Sequence, residues 1–440
     1  MPPLDRREFL KQSGKATAGV TLGLSVLANG RAKAGPNDVV RVGVVGVRGR
    51  GNSHIQGFEN LPDAEVVAVC AVDEEVLSNR AGALDSATGR KVKRFVDMRA
   101  LFDDPDVDAV SFATPNHWHS LGGIWAMQAG KDTYVEKPCS HNIWEGRQLV
   151  NAARQTGRMC QHGTQGRSAP SIREAVAKLR EGVIGEVYLA KALCYKWRNT
   201  IGKVDGPQQP PGGVDYNLWI GPAAMKPLQR QNLHYDWHWQ WDYGNGDIGN
   251  QGVHEMDMAR WGLGVGLPTR VTAMGGHFMF DDDQQTPNVL HAAFEYPERK
   301  KMLEFEVRHW ITNHEGGFGS GESNTVGVIF YGSEGYMTVE YFGYETFLGR
   351  KREPGPSGQG AGSEWATFIA GVRSRKQEDL GVDIEEGHLS SALCHLANMS
   401  YRLGRAIDFD PASEQPIGDH DAIALMSRDY RSPFVVPAVG

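Results

Sequence analysis

The chain has few cysteines, and none of them has the spacing that cysteine chemistry requires. The 440 residues include five cysteines, an odd number, and no Cys-x-x-Cys pair. These features exclude a disulfide framework, and we expect five buried thiols instead. The five are Cys70, Cys139, Cys160, Cys194 and Cys394.

A surplus of positive charge is also missing. The formal net charge is −7 at pH 7, and no block of Lys and Arg occurs. A nucleic-acid partner is therefore not expected. The His-Glu-x-x-His motif and the Cys/His spacings typical of zinc sites are absent as well, so we expect no metal.

Long hydrophobic runs are lacking, and the apolar stretch at residues 16–28 is too short for a permanent membrane anchor. It follows the pair Arg6-Arg7 and precedes small residues before a cut after Ala34. This pattern predicts a twin-arginine signal peptide over residues 1–34 and export to the periplasm or beyond. The alternative is an uncleaved basic tail.

Residues 35–160 alternate short apolar runs with segments of helical spacing. Such near-continuous apolar strands are typical of a parallel sheet covered on both faces, so we expect a doubly wound, Rossmann-type domain. The apolar runs lie within residues 38–51, 64–73, 106–115 and 131–138.

The pattern changes in residues 161–440, where longer stretches alternate with a period of two. Period-two runs separated by turn residues predict an open, mostly antiparallel sheet in a second, α+β domain. The polar stretch Gly349–Glu364 is predicted to be an exposed loop, and Glu385–Arg405 a helix.

A glycine-rich turn follows the first predicted strand and opens a helix, which is the context of a phosphate-binding turn. Its spacing departs from Gly-x-Gly-x-x-Gly because Arg48 replaces the middle glycine. A carboxylate at the end of the second strand can accept hydrogen bonds from ribose hydroxyls and repel a 2′-phosphate, so NAD is favoured over NADP. An ordinary strand–turn–helix without a ligand is the alternative. The predicted cofactor residues here are Gly46, Arg48, Gly49, Arg50, Gly51 and Asp73.

Four motifs in this order resemble one family. They are GVRGRG, TPNHWHS (residues 114–120), EKP (residues 136–138) and GNQGVHEMDMARW (residues 249–261). Together they are similar to the glucose–fructose oxidoreductase/inositol dehydrogenase (Gfo/Idh/MocA) family, over nearly all of the chain after the signal. The resemblance implies a Rossmann domain, a substrate domain with an open sheet, a nicotinamide cofactor and a sugar, polyol or related substrate.

The EKP motif lies where the resemblance places the reacting end of the cofactor. Lys137 is predicted to stabilise the alkoxide at the substrate's reacting oxygen, and Pro138 to fix the backbone beside it. Glu136 and Lys137 are also expected to contact the cofactor. The alternative is a structural strand end.

His254 is the predicted proton acceptor. Family members that are dehydrogenases place an Asp four residues earlier to orient this ring, and here that position is Asn250. On one helix the two side chains would share a face. Asp247 or Asp257 can supply the missing charge, and Asp257 is also a predicted substrate contact. A structural histidine remains the alternative.

Two further stretches are predicted to line the cleft. Thr114, Asn116 and His117, with His119 nearby, can contact the cofactor, or Asn116 and the two histidines can cap the next helix. Aromatic side chains stack on sugar rings, and in an extended segment alternate residues share a face, although tryptophan rows also pack cores and interfaces. The tryptophans in question are Trp237, Trp239 and Trp241, with His234 before them and His238 between the first two.

Three functions are compatible with these residues. The first is an NAD(P)-dependent oxidoreductase, or dehydrogenase, acting on a sugar, polyol or derivative. The second is an NAD-dependent glycosidase that oxidises its substrate transiently. The third is a non-catalytic sugar-binding protein, for which Asn250 is the only support. A homo-oligomer formed through the C-terminal sheet is expected.

Overall fold

The computed structural model describes residues 39–440. The predicted signal peptide, residues 1–34, lies outside the described residues. Among residues 39–440, no helix combines the length and the apolar character needed to cross a bilayer. All five cysteines are buried free thiols, as predicted.

The first part of the described chain forms the predicted parallel sheet, in the order β3-β2-β1-β4-β5-β6. The strand order reverses beside β1, so a crevice opens at the carboxyl ends of β1 and β4. The strands are β1 (Val40–Val45), β2 (Ala64–Cys70), β3 (Lys93–Phe95), β4 (Ala109–Phe112), β5 (Asp132–Val135) and β6 (Cys160–His162). The helices are α1 (Gly49–Glu59), α2 (Glu74–Thr88), α3 (Met98–Phe102), α4 (His119–Gln128) and α5 (Ile143–Thr156). Strand β6 crosses the boundary expected between residues 160 and 161.

The second part forms a ten-stranded sheet, in the order β14-β13-β12-β11-β7-β10-β9-β8-β15-β16. Its neighbouring strands are antiparallel except β7 and β10, which run parallel. The strands are β7 (Val187–Lys196), β8 (Arg270–Gly276), β9 (Val289–Tyr296), β10 (Lys301–His309), β11 (Thr325–Gly332), β12 (Gly335–Glu340), β13 (Gly343–Leu348), β14 (Glu353–Gln359), β15 (Ile407–Asp410) and β16 (Gln415–Pro416). The helices are α6 (Pro170–Arg180), α7 (Tyr216–Ile220), α8 (Gly246–Asn250), α9 (Gly252–Leu263), α10 (Glu364–Ser374), α11 (Ile384–Leu403) and α12 (His420–Ala424).

One loop prediction was wrong. The stretch Gly349–Glu364 contains the edge strand β14, which pairs with β13 from Glu353 to Gln359. An edge strand is hydrogen-bonded on one side only, so it tolerates the exposed prolines Pro354 and Pro356 that suggested a loop.

Helices of the second part fix the two parts to each other. In α10, Trp365 packs against the rings of His54 and Phe58 on α1, with centroids 4.7 and 5.2 Å apart. Helix α11 contacts α5 on one side and β8 on the other. Helices α10 and α11 therefore pack the second part of the chain against the parallel-sheet part.

Candidate active site

The glycine turn after β1 is shaped by close backbone contacts. Gly46 has φ +82°, and a Cβ there would lie 2.7 Å from the Ala113 carbonyl oxygen. A Cβ on Gly51 would lie 1.8 Å from the Gly46 carbonyl oxygen. Within residues 39–440, no side chain caps the start of α1, which begins at Gly49. The turn thus brings backbone N–H groups close to the crevice, as an anion requires.

A cavity of about 540 Å³ lies over this turn. Eleven predicted site residues line it: Gly46, Arg48, Gly49, Arg50, Asp73, Thr114, Asn116, Glu136, Lys137, Trp237 and Asn250. The opposite wall comes from the second part and includes Trp219, His234, Tyr235 and His238. The cavity therefore lies between the carboxyl edge of the parallel sheet and residues 219–250 of the second part.

Asp73 sits at the carboxyl end of β2, where its carboxylate has two partners. Oδ1 accepts a hydrogen bond from the Val76 N–H at 3.0 Å and so caps α2. Oδ2 lies 2.8 Å from His234 Nε2. The Asp73 carboxylate, which is predicted to bind the ribose, therefore lies at the cavity, and His234 of the second part contacts it.

Residues 213–238, which we call the cover segment, follow the outer edge of the cavity. Its Asp215 N–H donates to the Val72 carbonyl at 2.8 Å, and the Glu74 N–H donates to the Gly213 carbonyl at 3.0 Å. These bonds and the His234–Asp73 contact attach the cover segment to the start of α2. The nucleotide end of the cavity is therefore bounded by both parts of the chain.

These residues fit a dinucleotide. The glycine turn provides an approach for phosphate, and Asp73 provides an acceptor for ribose hydroxyls. Thr114 Oγ1 is buried beside the cavity and has no hydrogen-bond partner within residues 39–440. Because buried polar atoms are normally paired, this hydroxyl is available to a ligand.

Charged groups converge where β5 ends. Arg50 Nε donates to Glu136 Oε1 at 2.6 Å, and the Lys137 Nζ donates to the Asn250 carbonyl oxygen. Burial raises the pKa of Glu136, but Arg50 and His54 together hold it well below its usual range. Burial lowers the pKa of Lys137 from its usual 10.5, with Glu136 opposing that shift and Arg50 adding to it. The Lys137–Pro138 bond is cis.

His254 lies behind this cluster. It is buried, and within the described residues its Nδ1 has no hydrogen-bond partner. Burial lowers the pKa of His254 well below its usual range, and the positive charge of Lys137 lowers it further. The ring is therefore neutral at physiological pH and able to accept a proton.

The predicted single helix through Asn250 and His254 was wrong, because α8 ends at Asn250 and α9 begins at Gly252. A Cβ on Gly252 would lie 2.2 Å from the ring of Phe305, so the chain packs tightly against β10 at this junction. The Asn250 amide donates to Asp247 Oδ1 at 3.2 Å.

Asp247 carries the buried negative charge of this region. Arg198 donates to both of its oxygens at 2.8 and 3.0 Å, and His309 Nε2 lies 2.9 Å from Oδ2. Burial raises the pKa of Asp247, but Arg198 and His309 hold it well below its usual range. An Asp at position 250 would place a second negative charge beside the Asp247 carboxylate and be repelled by it. The Asn250 amide can donate a hydrogen bond to that carboxylate instead.

Six predicted site residues do not line the cavity: Gly51, His117, Trp239, Trp241, His254 and Asp257. The Asp257 carboxylate is instead occupied by Arg167, at 2.8 Å, and by Ser390, at 2.7 Å. His117 Nε2 contacts the Trp219 carbonyl, and the Asn116 amide donates to Asn245 Oδ1, so neither side chain caps α4.

The tryptophan segment is not extended but includes a short 3-10 helix, Asp236–Trp239, so the condition under which its three tryptophans would share one face is not met. The Asp236 carboxylate accepts from the Asn232 N–H at 2.8 Å, which stabilises this turn. Only Trp237 of the three tryptophans lines the cavity, and Trp239 is buried against Arg198.

Sequence reasoning missed a polar network beside His254. Lys196 Nζ donates to Gln251 Oε1 at 2.6 Å, and the Gln251 amide donates to Glu255 Oε1 at 2.9 Å and contacts the Tyr341 hydroxyl. The Tyr341 ring packs edge-on against His254, with centroids 5.3 Å apart. One sequence signal could have indicated this network. Lys196 lies at the end of a predicted strand, and Lys137 likewise lies just after the end of one.

The crevice at the strand ends, the glycine turn and the residues that line the cavity define a two-domain protein with a candidate dinucleotide site. The first domain matches a family model described as an oxidoreductase family with an NAD-binding Rossmann fold, over residues 40–164. Two C-terminal models of the same family match residues 168–277 with 356–436, and residues 225–338. The chain belongs to the Gfo/Idh/MocA family.

Comparison with individual proteins gives two kinds of relative. A glycosyl hydrolase family 109 protein of Shewanella baltica (strain OS195) is 32% identical over 214 residues, which span 44% of this chain and 46% of that protein. The match thus spans about half the length of this curated relative.

Solved structures with a similar fold share little sequence with this chain. The WlbA dehydrogenase from Bordetella pertussis, in complex with NADH and UDP-GlcNAcA, has a TM-score of 0.62 at 19% identity, covering 84% of this chain and 99% of that one. A levoglucosan dehydrogenase in complex with NADH and levoglucosan has a TM-score of 0.61 at 17% identity, with the same coverage. At this identity the likeness establishes the fold.

Proposed function

We propose that the protein is an NAD-dependent oxidoreductase that transfers hydride between a nicotinamide and a C–OH group of a sugar, polyol or sugar derivative. One observation carries the proposal: Lys137 lines the cavity beside a buried, neutral His254 whose Nδ1 is unpartnered within the described residues. The two solved neighbours that contain NADH and a sugar-related ligand support this substrate class.

The bound nicotinamide supplies the hydride acceptor, and the side chains manage the charge on the reacting oxygen. Lys137 donates a hydrogen bond to that oxygen as it becomes an alkoxide. His254 removes the hydroxyl proton, which its lowered pKa permits at neutral pH. The Lys137 ammonium donates a hydrogen bond to the backbone carbonyl oxygen of Asn250. This bond positions the ammonium before the substrate binds.

A second candidate shares these residues but not the net reaction. In it, hydride would pass from a C–OH group of a glycoside to a bound nicotinamide, and the resulting ketone would acidify the neighbouring C–H. His254 or a nearby base would remove that proton, and the glycosidic oxygen would take up a proton and leave as an alcohol. Water then adds, and the hydride returns to the same sugar. The glycosyl hydrolase family 109 relative favours this candidate, and so does the cover segment, since a retained cofactor suits a cycle that regenerates it.

One experiment separates the two candidates. Purified protein with measured NAD content is incubated with a panel of free sugars and with aryl glycosides, while NADH and the released aryl group are followed together. Net NADH from free sugars supports the first candidate, and aryl release without net NADH supports the second. If Lys137→Met leaves both signals unchanged, the assignment of the site fails.

Two further parts of the proposal concern the whole protein. The Arg6-Arg7 signal favours export of the folded, cofactor-loaded protein to the periplasm through the twin-arginine route. Exposed side chains on the larger sheet, such as Tyr188 and Met274, favour a homo-oligomer formed through that sheet. Sedimentation velocity on the purified protein tests the second point.

A further inference from the structure

Two tryptophans directly follow the parallel strands of the larger sheet. Strands β7 and β10 pair with Lys196 opposite His309, so their carboxyl ends meet at one edge. Trp197 and Trp310 are the next residues of the two strands. Their rings lie edge to face, with centroids 6.2 Å apart.

This edge of the sheet adjoins the active site. Lys196 Nζ donates to Gln251 Oε1 at 2.6 Å, and His309 Nε2 lies 2.9 Å from Asp247 Oδ2. Gln251 and Asp247 flank Asn250, which lines the cavity. The two tryptophans therefore lie one residue beyond side chains that contact the α8–α9 junction.

Both indole rings are exposed, yet hydrogen bonds hold both residues in place. The exposed fractions are 38% for Trp197 and 39% for Trp310. Trp197 Nε1 donates to the Ser323 carbonyl at 3.0 Å, and the Trp310 N–H donates to the Lys196 carbonyl at 3.0 Å. Trp310 has φ +80°, a left-handed conformation that is costly for a bulky residue and is found where ligands are bound.

Both apolar and polar side chains lie near the pair. The Phe280 ring packs edge-on against Trp310, with centroids 5.8 Å apart, and Ile311 is exposed. Asn199 and Asn313 are exposed beside the two tryptophans in sequence. Arg198 is the next residue after Trp197, and it donates to the hydroxyl of Tyr235, which lines the cavity, at 2.9 Å. Apolar rings bordered by hydrogen-bonding groups match a sugar ring, which has apolar C–H faces and a rim of hydroxyls.

We propose that Trp197 and Trp310 form a carbohydrate subsite that binds the sugar ring attached to the reacting one. The substrate is then a glycoside or short oligosaccharide and not a free monosaccharide. This inference rests on the proposed function, because the reacting ring is the one that Lys137 and His254 act on.

The test measures binding by calorimetry, with NAD-loaded protein and three pairs of sugars: glucose with maltotriose, glucose with cellotriose, and N-acetylglucosamine with its β-1,4-linked trimer. The variants are Trp197→Ala and Trp310→Ala, and Trp197→Phe and Trp310→Phe retain an aromatic ring. Ile423→Ala is the control, since Ile423 is an exposed apolar residue on α12, away from the larger sheet's exposed face and from the cavity. All variants are first compared for melting temperature and NAD content.

We expect the parent protein to bind at least one trisaccharide more tightly than its monosaccharide. Each Trp→Ala variant should weaken trisaccharide binding about tenfold and leave monosaccharide binding unchanged, as loss of one ring contact implies. The Phe variants should keep part of the affinity, and Ile423→Ala should match the parent.

Three results would overturn the subsite: no trisaccharide preference in the parent, an equal loss for both sugars in the Ala variants, or a changed oligomeric state with unchanged sugar binding. The last result would assign the rings to a contact with a second copy. Failure of the proposed function looks different, because trisaccharide binding would then stay sensitive to the tryptophans while no sugar is oxidised or cleaved.

Discussion

His234 Nε2 lies 2.8 Å from Asp73 Oδ2, and this contact links residues 161 positions apart. It joins the cover segment to the carboxylate predicted to bind the ribose. The two side chains come from different parts of the chain, so the roles we expect of them, cofactor selection for Asp73 and cofactor retention for His234, can be tested separately.

Cofactor selection is tested with Asp73→Ser. Serine can still cap α2 through the Val76 N–H, but it removes the charge that accepts from ribose and repels a 2′-phosphate. We expect NAD affinity to fall about tenfold or more and the gap to NADP to narrow. Dissociation constants for both cofactors measure this, with Asp419→Ser as the control, since Asp419 caps α12 away from the cavity. An unchanged preference would mean that Asp73 is not at the ribose.

Cofactor retention is tested with His234→Ala. Removing the imidazole breaks the contact between the cover segment and Asp73, so bound NAD should dissociate faster. The measurement is the NAD remaining during dialysis, together with the rate of NADH release followed by fluorescence. His420→Ala, an exposed histidine on α12, serves as the control. If release from His234→Ala is as slow as from the parent, the cover segment does not retain the cofactor through this contact.

The roles of Lys137 and His254 predict a particular pattern of kinetics. Lys137→Met and His254→Ala should each lower turnover on the order of 10²- to 10³-fold while NAD still binds. Because both groups stabilise the same transition state, the fold-decrease in turnover of the double variant should be much smaller than the product of the two single fold-decreases.

The same pair predicts a shift in the pH profile. Lys137 lowers the pKa of His254, so its removal should raise that pKa and move the acid limb of the pH–rate profile to higher pH. A limb that stays in place in Lys137→Met would show that another group titrates. Near-normal turnover in either single variant would leave the EKP motif a structural strand end.

Glu255 predicts a pH dependence of stability. Burial raises the pKa of this side chain from 4.5 to about 8, so the folded protein holds a proton that the unfolded chain releases above pH 4.5. Its contribution to the free energy of unfolding is full below pH 4.5 and is lost as pH rises through about 8.

Glu255→Gln mimics the protonated acid and removes this dependence. Denaturant unfolding of the parent and the variant at several pH values should show the variant gaining relative stability from pH 5 towards pH 9. Glu298→Gln, at an exposed turn, is the control. Parallel pH curves for the parent and Glu255→Gln would mean that Glu255 is ionised in the folded protein.

Export is tested with the double change Arg6→Lys, Arg7→Lys. The twin-arginine pathway requires the arginine pair, so the variant should remain in the cytoplasm with residues 1–34 attached. Cell fractionation and N-terminal sequencing measure this, and the exported parent should begin at Gly35. Continued export of the double variant would indicate another route.

Local sequence patterns determined much of this protein. Alternating apolar runs specified the parallel sheet, and period-two runs specified the second sheet, because strand burial is encoded in neighbouring residues. Gly46, Asp73 and Lys137 line the cavity, since the carboxyl ends of parallel strands share one edge.

The tertiary structure decided what depends on contacts between distant segments. The close packing of Gly252 on Phe305 separates Asn250 from the helix of His254. Arg167 and Ser390 occupy Asp257, and a turn buries Trp239. Trp197 and Trp310 become neighbours only because β7 and β10 pair in parallel. No periodicity within one segment reports such pairings, because their free energy comes from side chains that only the folded chain brings together.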